Sequence, residues 1–368
     1  MSQRNASKRP VQRQPQRRQK KKSWLKRQFA QRPLPIWIVI IIDVLLLGIA
    51  LVVFALFHHV IPEQQKSTGI VSSRENMVVL ETAVPEETPE PTAEIVVVEA
   101  TETPAATATP DPVGYFGTKY AKKFNADGSV NADETSYVSG NINVKIREFE
   151  EYGSDVFFAD IYIKDISSLQ TAFGKDTFGK NYTERVKDIL RDKGAVIAIN
   201  GDYYGARDDG VVIRNGELYR NDANPDSDVC VLYWDGSMDI IDKDAFDAEA
   251  VMAAGAYQAW TFGPSLLDAD GRAFSGIRSS VSDENPRTAI GYFQPGHYAF
   301  VVVDGRTSSS DGVTLDELAK LMESIGCKKA YNLDGGNSSA MAYDGQNVNR
   351  PSQGGREISD VIMIMDGE

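Results

Sequence analysis

Between Leu34 and Ile61 the chain is apolar for about 25 residues, and a helix needs only roughly 20 to cross a hydrocarbon core. The run predicts a transmembrane helix over residues 34–61. A cleaved secretory signal fits less well, because its apolar region usually spans about 7–15 residues and ends in a small-x-small pattern, which does not follow here. Asp43 interrupts the run. A carboxyl at mid-membrane costs about 2.5–3.5 kcal/mol on insertion scales, which the surrounding Leu, Ile and Val outweigh unless Asp43 marks a pairing site.

Residues 1–33 hold twelve Lys or Arg and no Asp or Glu, the composition of a solvated arm. The positive-inside rule puts this arm in the cytoplasm and everything beyond Val60 outside, making a single-pass protein of the cell membrane bound to the bilayer through residues 34–61. Of the 39 basic residues, 27 remain beyond the arm against 52 acidic ones. The remainder is therefore strongly acidic, which argues against nucleic acid as a partner. Residues 62–113 are rich in Pro, Thr, Glu and Ala and poor in large apolar side chains, a composition expected to remain a disordered, extended linker.

Residues 114–368 carry the patterning of one folded domain, secure from Asn141 onward. The alternating stretch through Ile163, with Tyr152-Gly153-Ser154-Asp155 as turn material, predicts a hairpin. Tyr182–Lys193 follows a helical period and runs into the apolar strand Ala195–Ile199. Asn215-Gly216, Asp235-Gly236, Pro295-Gly296 and Asp344-Gly345 announce further hairpins, the first with a type I′ signature. Thr314 and Glu317 form a capping box that opens a helix through Ser324, with Gly326 as its stop, before a strand over Ala330–Leu333. The fold class expected is α+β: a mixed β-sheet core with packed helices, preceded by a basic arm, one transmembrane helix and a disordered linker.

Three histidines exist, His58, His59 and His297, and two cysteines, Cys230 and Cys327. One His and two distant Cys cannot make a zinc hydrolase site, although a divalent metal ion held by oxygen ligands remains open. A Ser-His-Asp triad could use only His297, and no Gly-x-Ser-x-Gly elbow surrounds Ser338 and Ser339. Cys327 has no activating His nearby in sequence and reads as a buried structural residue. One disulfide is compatible with the cysteine count, and sequence does not decide it. What remains are carboxylates, arginines, amides and glycine turns, which suit reaction at an acetal or phosphate centre.

Four segments put Asp, Asn or Arg beside Gly at strand ends: AINGDYYG (198–205), NPRTAIG (285–291), VVDGRTSSSDGVTLDELAKLM (302–322) and YNLDGGNSSAMAYDG (331–345). With the closing segment NVNRPSQGGREISD (347–360), and in this order, they resemble the phosphodiester glycosidase family over roughly residues 141–366. Asp202, Tyr203 and Tyr204 stand where many relatives have Gly and Phe, and Asn337 stands where Gly is frequent. The resemblance implies an extracytoplasmic glycosidase that releases a sugar from a phosphodiester.

On that reading Asp334, Asp304 and Asp202 are candidate catalytic carboxylates at the anomeric centre, Asp334 foremost. Arg287 and Arg306 are candidate phosphate clamps, with Arg350 and Arg356 in reserve. The amides of Gly335 and Gly336 would form an anion nest. Asn200, Asn332, Asn337 and Ser338 would orient sugar or phosphate. The expected substrate is a sugar-1-phosphodiester or phosphate-containing glycan of the envelope or an exopolysaccharide. The rivals are an envelope phosphotransferase or phosphodiesterase, and a non-catalytic polysaccharide-binding module.

Overall fold

The computed structural model describes residues 35–76, 111–221, 228–279 and 281–367. The basic arm and residues 77–110 of the expected linker lie outside them. The chain divides into two compact units, Met1–Val60 and Ile61–Glu368. In the first, Ile36–His59 forms one 24-residue helix, long and apolar enough to cross a membrane.

The second unit mixes helices and sheets. It contains a seven-, a six- and a five-stranded sheet. Period-two alternation explains how they assemble, since successive side chains leave a strand on opposite faces. Ile197 and Ile199 enter the central core, where they join Ile142, Phe157, Ile161, Trp260, Phe300 and Tyr331 from all three sheets. Ala198, between them, faces the other way, toward Val186, Ile189 and Leu190 of the helix Val186–Lys193. The outer face of the seven-stranded sheet is covered in the same manner by the helix Leu315–Ile325, and that of the six-stranded sheet by Ala248–Ala253. The last is short, and its apolar pattern gives little sequence signal.

Turn chemistry determines the hairpins. Ile142–Glu151 and Ser154–Ile163 pair through Tyr152-Gly153, and both turn residues have positive φ, as a type I′ turn requires. The same holds for Asn215-Gly216 and Asp344-Gly345. The helix expected from Tyr182 begins only at Val186. Glu184 is drawn instead into a β-bridge with Ile358, a tertiary partner that local periodicity does not register. Both cysteines are free and buried, in separate clusters.

Residues 63–76, which composition assigns to the linker, lie on the second unit. Glu63–Gln64 pairs with Gly179–Lys180, and Ile70–Val71 pairs with Leu218 and Glu217. Ser72 is buried, and Arg74 forms an ion pair with Asp165. These contacts are main-chain pairing and single polar anchors, which need few apolar side chains and so escape a compositional reading.

Strand register carries the candidate segments to one edge. Arg287 opens its strand opposite Val303, where the neighbouring strand ends. Asn332 ends a strand opposite Ala289, and Asn200 ends another opposite Val361. Antiparallel pairing therefore brings the loops after Asn200, Val303 and Asn332 together with the residues that open at Arg287 and Asp360.

The Leu315–Ile325 helix has its full capping box, with Thr314 Oγ1 accepting from the Glu317 amide and the Glu317 carboxylate accepting from the Thr314 amide. Replacing Thr314 with Ala is expected to lower stability by about 1 kcal/mol, seen as a reduced urea midpoint.

Candidate active site

The turn Asp334–Ser339 is held from beneath by one buried amide. Asn200 donates through Nδ2 to the Asp334 carbonyl at 2.7 Å, and its Oδ1 accepts from Thr288 Oγ1 and the Ala340 amide. Asn200 has no exposed surface; it shapes the turn rather than facing a substrate. The Gly336 amide donates to the Pro286 carbonyl at 2.9 Å, so it is not a free donor for an anion nest. Its value is the missing side chain. Gly336 has φ +64°, and a Cβ there would sit 3.3 Å from the Arg306 guanidinium.

Asp334, Gly335, Gly336, Asn337, Arg287, Arg306 and Arg356 line one pocket of 210 Å³, together with Phe262, Val281 and Asn285. Asp334 is 6% exposed. Arg356 donates to its carboxylate from Nη2 at 2.7 Å and from Nε to Ser338 Oγ. Burial raises the Asp334 carboxyl above the usual range, with the charges of Arg356 and Arg207 opposing. Tyr203, in the left-handed region at φ +68°, lies under the Arg356 guanidinium at 4.6 Å.

Arg287 and Arg306 differ from Arg356 in their partners. Arg287 is 2% exposed and donates to the carbonyls of Val313 and Asp283. Arg306 donates to the side-chain oxygens of Asn285 and Asn337. Neither forms an ion pair among the described residues. Burial, with Arg306 close by, lowers Arg287 to about 10 against the opposing pull of Asp283. It therefore stays protonated near neutrality and is a charge in want of an anion.

Asp202 and Asp304 do not line this pocket. Asp202 accepts from Arg214 Nη2 at 2.8 Å and from the Thr261 amide at 2.9 Å. Arg214 also binds Asp360, and all three are 1% exposed. A Cβ on Gly201 would fall 2.2 Å from Asp360 Oδ1, so only glycine admits this packing. Asp304 accepts from Asn349 Nδ2 at 2.7 Å and from the Arg350 amide at 3.0 Å; burial is the largest cause raising its carboxyl. The Arg350 side chain reaches Glu148 at 3.3 Å. Asn332 donates to the Gly263 carbonyl at 2.7 Å and is fully buried. Asp202, Asp304 and Asn332 thus brace the loops from within. Among the described residues no three His, Cys, Asp or Glu side chains form a metal-holding group, and His297 pairs with Asp160 between the rings of Tyr162 and Phe293.

Sequence reasoning missed Asn285, Phe262, Val281, Tyr203 and Arg207. Asn285 and Tyr203 lay inside the quoted segments and could have been found there. Phe262 and Val281 carried no chemical signal, and Arg207 reaches the site by stacking on Phe262 at 5.1 Å.

Residues 193–365 match the family model described as phosphodiester glycosidase. The chain is 32% identical over 196 residues to the SPbeta prophage-derived uncharacterized protein YomE of Bacillus subtilis (strain 168). That match covers 51% of this chain and 30% of YomE, so the chain spans about a third of the relative's length. Among solved structures, the catalytic domain of zebrafish N-acetylglucosamine-1-phosphodiester alpha-N-acetylglucosaminidase, auto-inhibited by its pro-peptide, superposes with a TM-score of 0.50 at 21% identity, covering 61% of this chain and 83% of that one. The likeness is one of fold. A hypothetical protein from Synechocystis gives a TM-score of 0.48 at 17% identity, covering 61% of this chain and 62% of that one.

Two measurements test the buried ion network. Arg214→Met would leave two carboxylates without their cation and is expected to cost about 3–5 kcal/mol in denaturant unfolding. Burial is also the largest cause raising Asp360, opposed by Arg214. A carboxyl harder to ionise when folded stabilises fully below the unfolded value of about 4, and that contribution is lost as pH rises through the folded value. The melting temperature of the wild type relative to Asp360→Asn should therefore fall as pH increases from 5 to 8.

Proposed function

We propose that the chain, whose residues 193–365 match the phosphodiester glycosidase family model, hydrolyses a sugar-1-phosphodiester to free sugar and a phosphomonoester. The observation that carries this reading is a pocket with three arginines and, among its described lining residues, the single carboxylate Asp334. An ordinary glycoside needs a second carboxyl to protonate a poor leaving group. A phosphomonoester departs as a stable anion, so cationic donors take the place of that acid.

Asp334 is assigned to the anomeric centre, where an ionised carboxylate stabilises an oxocarbenium-like carbon or attacks it. Arg287 and Arg306 receive the phosphate. The bond between the anomeric carbon and the phosphate oxygen breaks with its electron pair going to phosphate; water supplies the hydroxyl on the sugar and its proton is released. Arg356, already on Asp334, sets the ionisation of that carboxylate.

The apolar helix Ile36–His59 behind twelve basic residues supports a single-pass anchor with its N-terminus in the cytoplasm. The substrate would then be a phosphate-containing glycan of the envelope or an exopolysaccharide. The same arginines would also suit attack at phosphorus, so the position of bond cleavage discriminates between the two reactions.

Full-length protein in detergent is to be given sugar-1-phosphodiesters in oxygen-18 water. Label in the sugar is expected; label in the phosphate would replace this reading with a phosphodiesterase or phosphotransferase, and glycan binding without turnover would replace it with a binding module. Asp334→Asn is expected to lower kcat about a hundredfold or more. Because Asp334 acts ionised, activity should fall as pH drops through its raised value. Arg356→Gln removes a charge that holds that value down, so the acid limb of kcat/KM should move to higher pH.

A further inference from the structure

The pocket's arginines are held by two kinds of partner. Arg356 is paired with a carboxylate, whereas Arg306 rests between the amide oxygens of Asn285 and Asn337. Each amide has its orientation set by its own nitrogen. Asn285 Nδ2 donates to the Asp283 carbonyl at 3.0 Å, the same carbonyl that accepts from Arg287, and Asn337 Nδ2 donates to Gln353 Oε1 at 3.1 Å. With each nitrogen so occupied, each oxygen is turned toward the guanidinium.

Carboxylates at positions 285 and 337 would hold the same guanidinium more tightly, because each bond would then join two opposite charges where it now joins a charge and a neutral oxygen. They would also cancel its charge. Asn differs from Asp by an NH2 in place of one oxygen, so an Asp could still turn one oxygen to the guanidinium but would lose the bond that Nδ2 gives to the Asp283 carbonyl or to Gln353 Oε1, a loss that an Ala at the same position shares. What the amides retain is the net positive charge of the pocket, beside a Gly336 whose missing Cβ leaves the guanidinium room.

We infer that Asn285 and Asn337 are positioning residues that hold Arg306 through neutral oxygens, leaving its charge for the substrate's anion and so setting the preference for a phosphate over a neutral leaving group. This rests on the proposed glycosidase reading only in taking the anion to be the substrate's phosphate. By the same reasoning the phosphomonoester product, with a second negative charge, binds more tightly than the diester it came from. Sustained turnover then depends on a reaction that consumes a phosphomonoester.

The test uses full-length Asn285→Asp and Asn337→Asp beside Asn285→Ala and Asn337→Ala. Inorganic phosphate is the probe in titration calorimetry, and kcat/KM is compared for a sugar-1-phosphodiester and a neutral aryl glycoside of the same sugar. Each Asp variant is expected to remain folded by circular dichroism, to lose about tenfold or more in phosphate affinity, and to lose its preference for the diester, with each Ala variant losing less. Equal losses in the Asp and Ala variants would reduce the amides to structural supports and overturn the inference. Asp variants with wild-type phosphate affinity, or a wild type that binds no phosphate, would overturn it too. The two positions lie on different segments, so misfolding of one variant leaves the other decisive. Absence of diester turnover together with the expected phosphate pattern would refute the glycosidase reading and leave the held charge standing.

Discussion

A guanidinium with no access to water ties two sheets of the second unit together. Arg214 comes from the six-stranded sheet and reaches Asp360 of the five-stranded sheet at 2.9 Å through Nε. Its Nη2 reaches Asp202, just past the strand that ends at Asn200. A lone buried cation would be severely destabilising, and so would either carboxylate without it. The three groups therefore compel a single arrangement of the strand ends that carry them. The segment from Gly201 to Arg207, including Tyr203 under Arg356, follows from that arrangement.

The same principle, worked in the opposite sense, makes the pocket chemically useful. Where the fold needs rigidity, charge meets opposite charge within the protein, as Arg214 meets Asp202 and Asp360. Where a ligand is to be bound, charge is positioned by carbonyls and amides that do not cancel it, as around Arg287 and Arg306. Asp334 stands between the two regimes, its carboxyl raised by burial while the charges of Arg356 and Arg207 oppose that rise. An uncompensated cation next to a partly compensated carboxylate suits a reaction in which negative charge leaves on one side of a bond and positive charge develops on the other.

Much of the architecture could be read locally. The capping box at Thr314, the type I′ turns and the alternating strands depend on neighbours a few residues apart, and each is present. The helix start at Val186 and the strands at residues 63–71 were not legible, because each depends on a partner more than a hundred residues away. In the site the same division holds. Asp334, Arg287, Arg306, Asn337 and Arg356 were named from Gly-flanked polar motifs and do meet in one pocket. Asp202, Asp304 and Asn332 came from motifs of identical appearance and turned inward.

Sequence by itself determined the apolar span, the basic arm before it, the alternation that makes strands and the residue types available for chemistry, since these follow from composition and short-range spacing. Only the tertiary structure decided which carboxylate faces the pocket and which arginines remain uncompensated. An aspartate at a strand end looks the same whether its carboxyl meets a buried guanidinium, a backbone amide or open space, and that choice is made by strands whose register brings distant residues together.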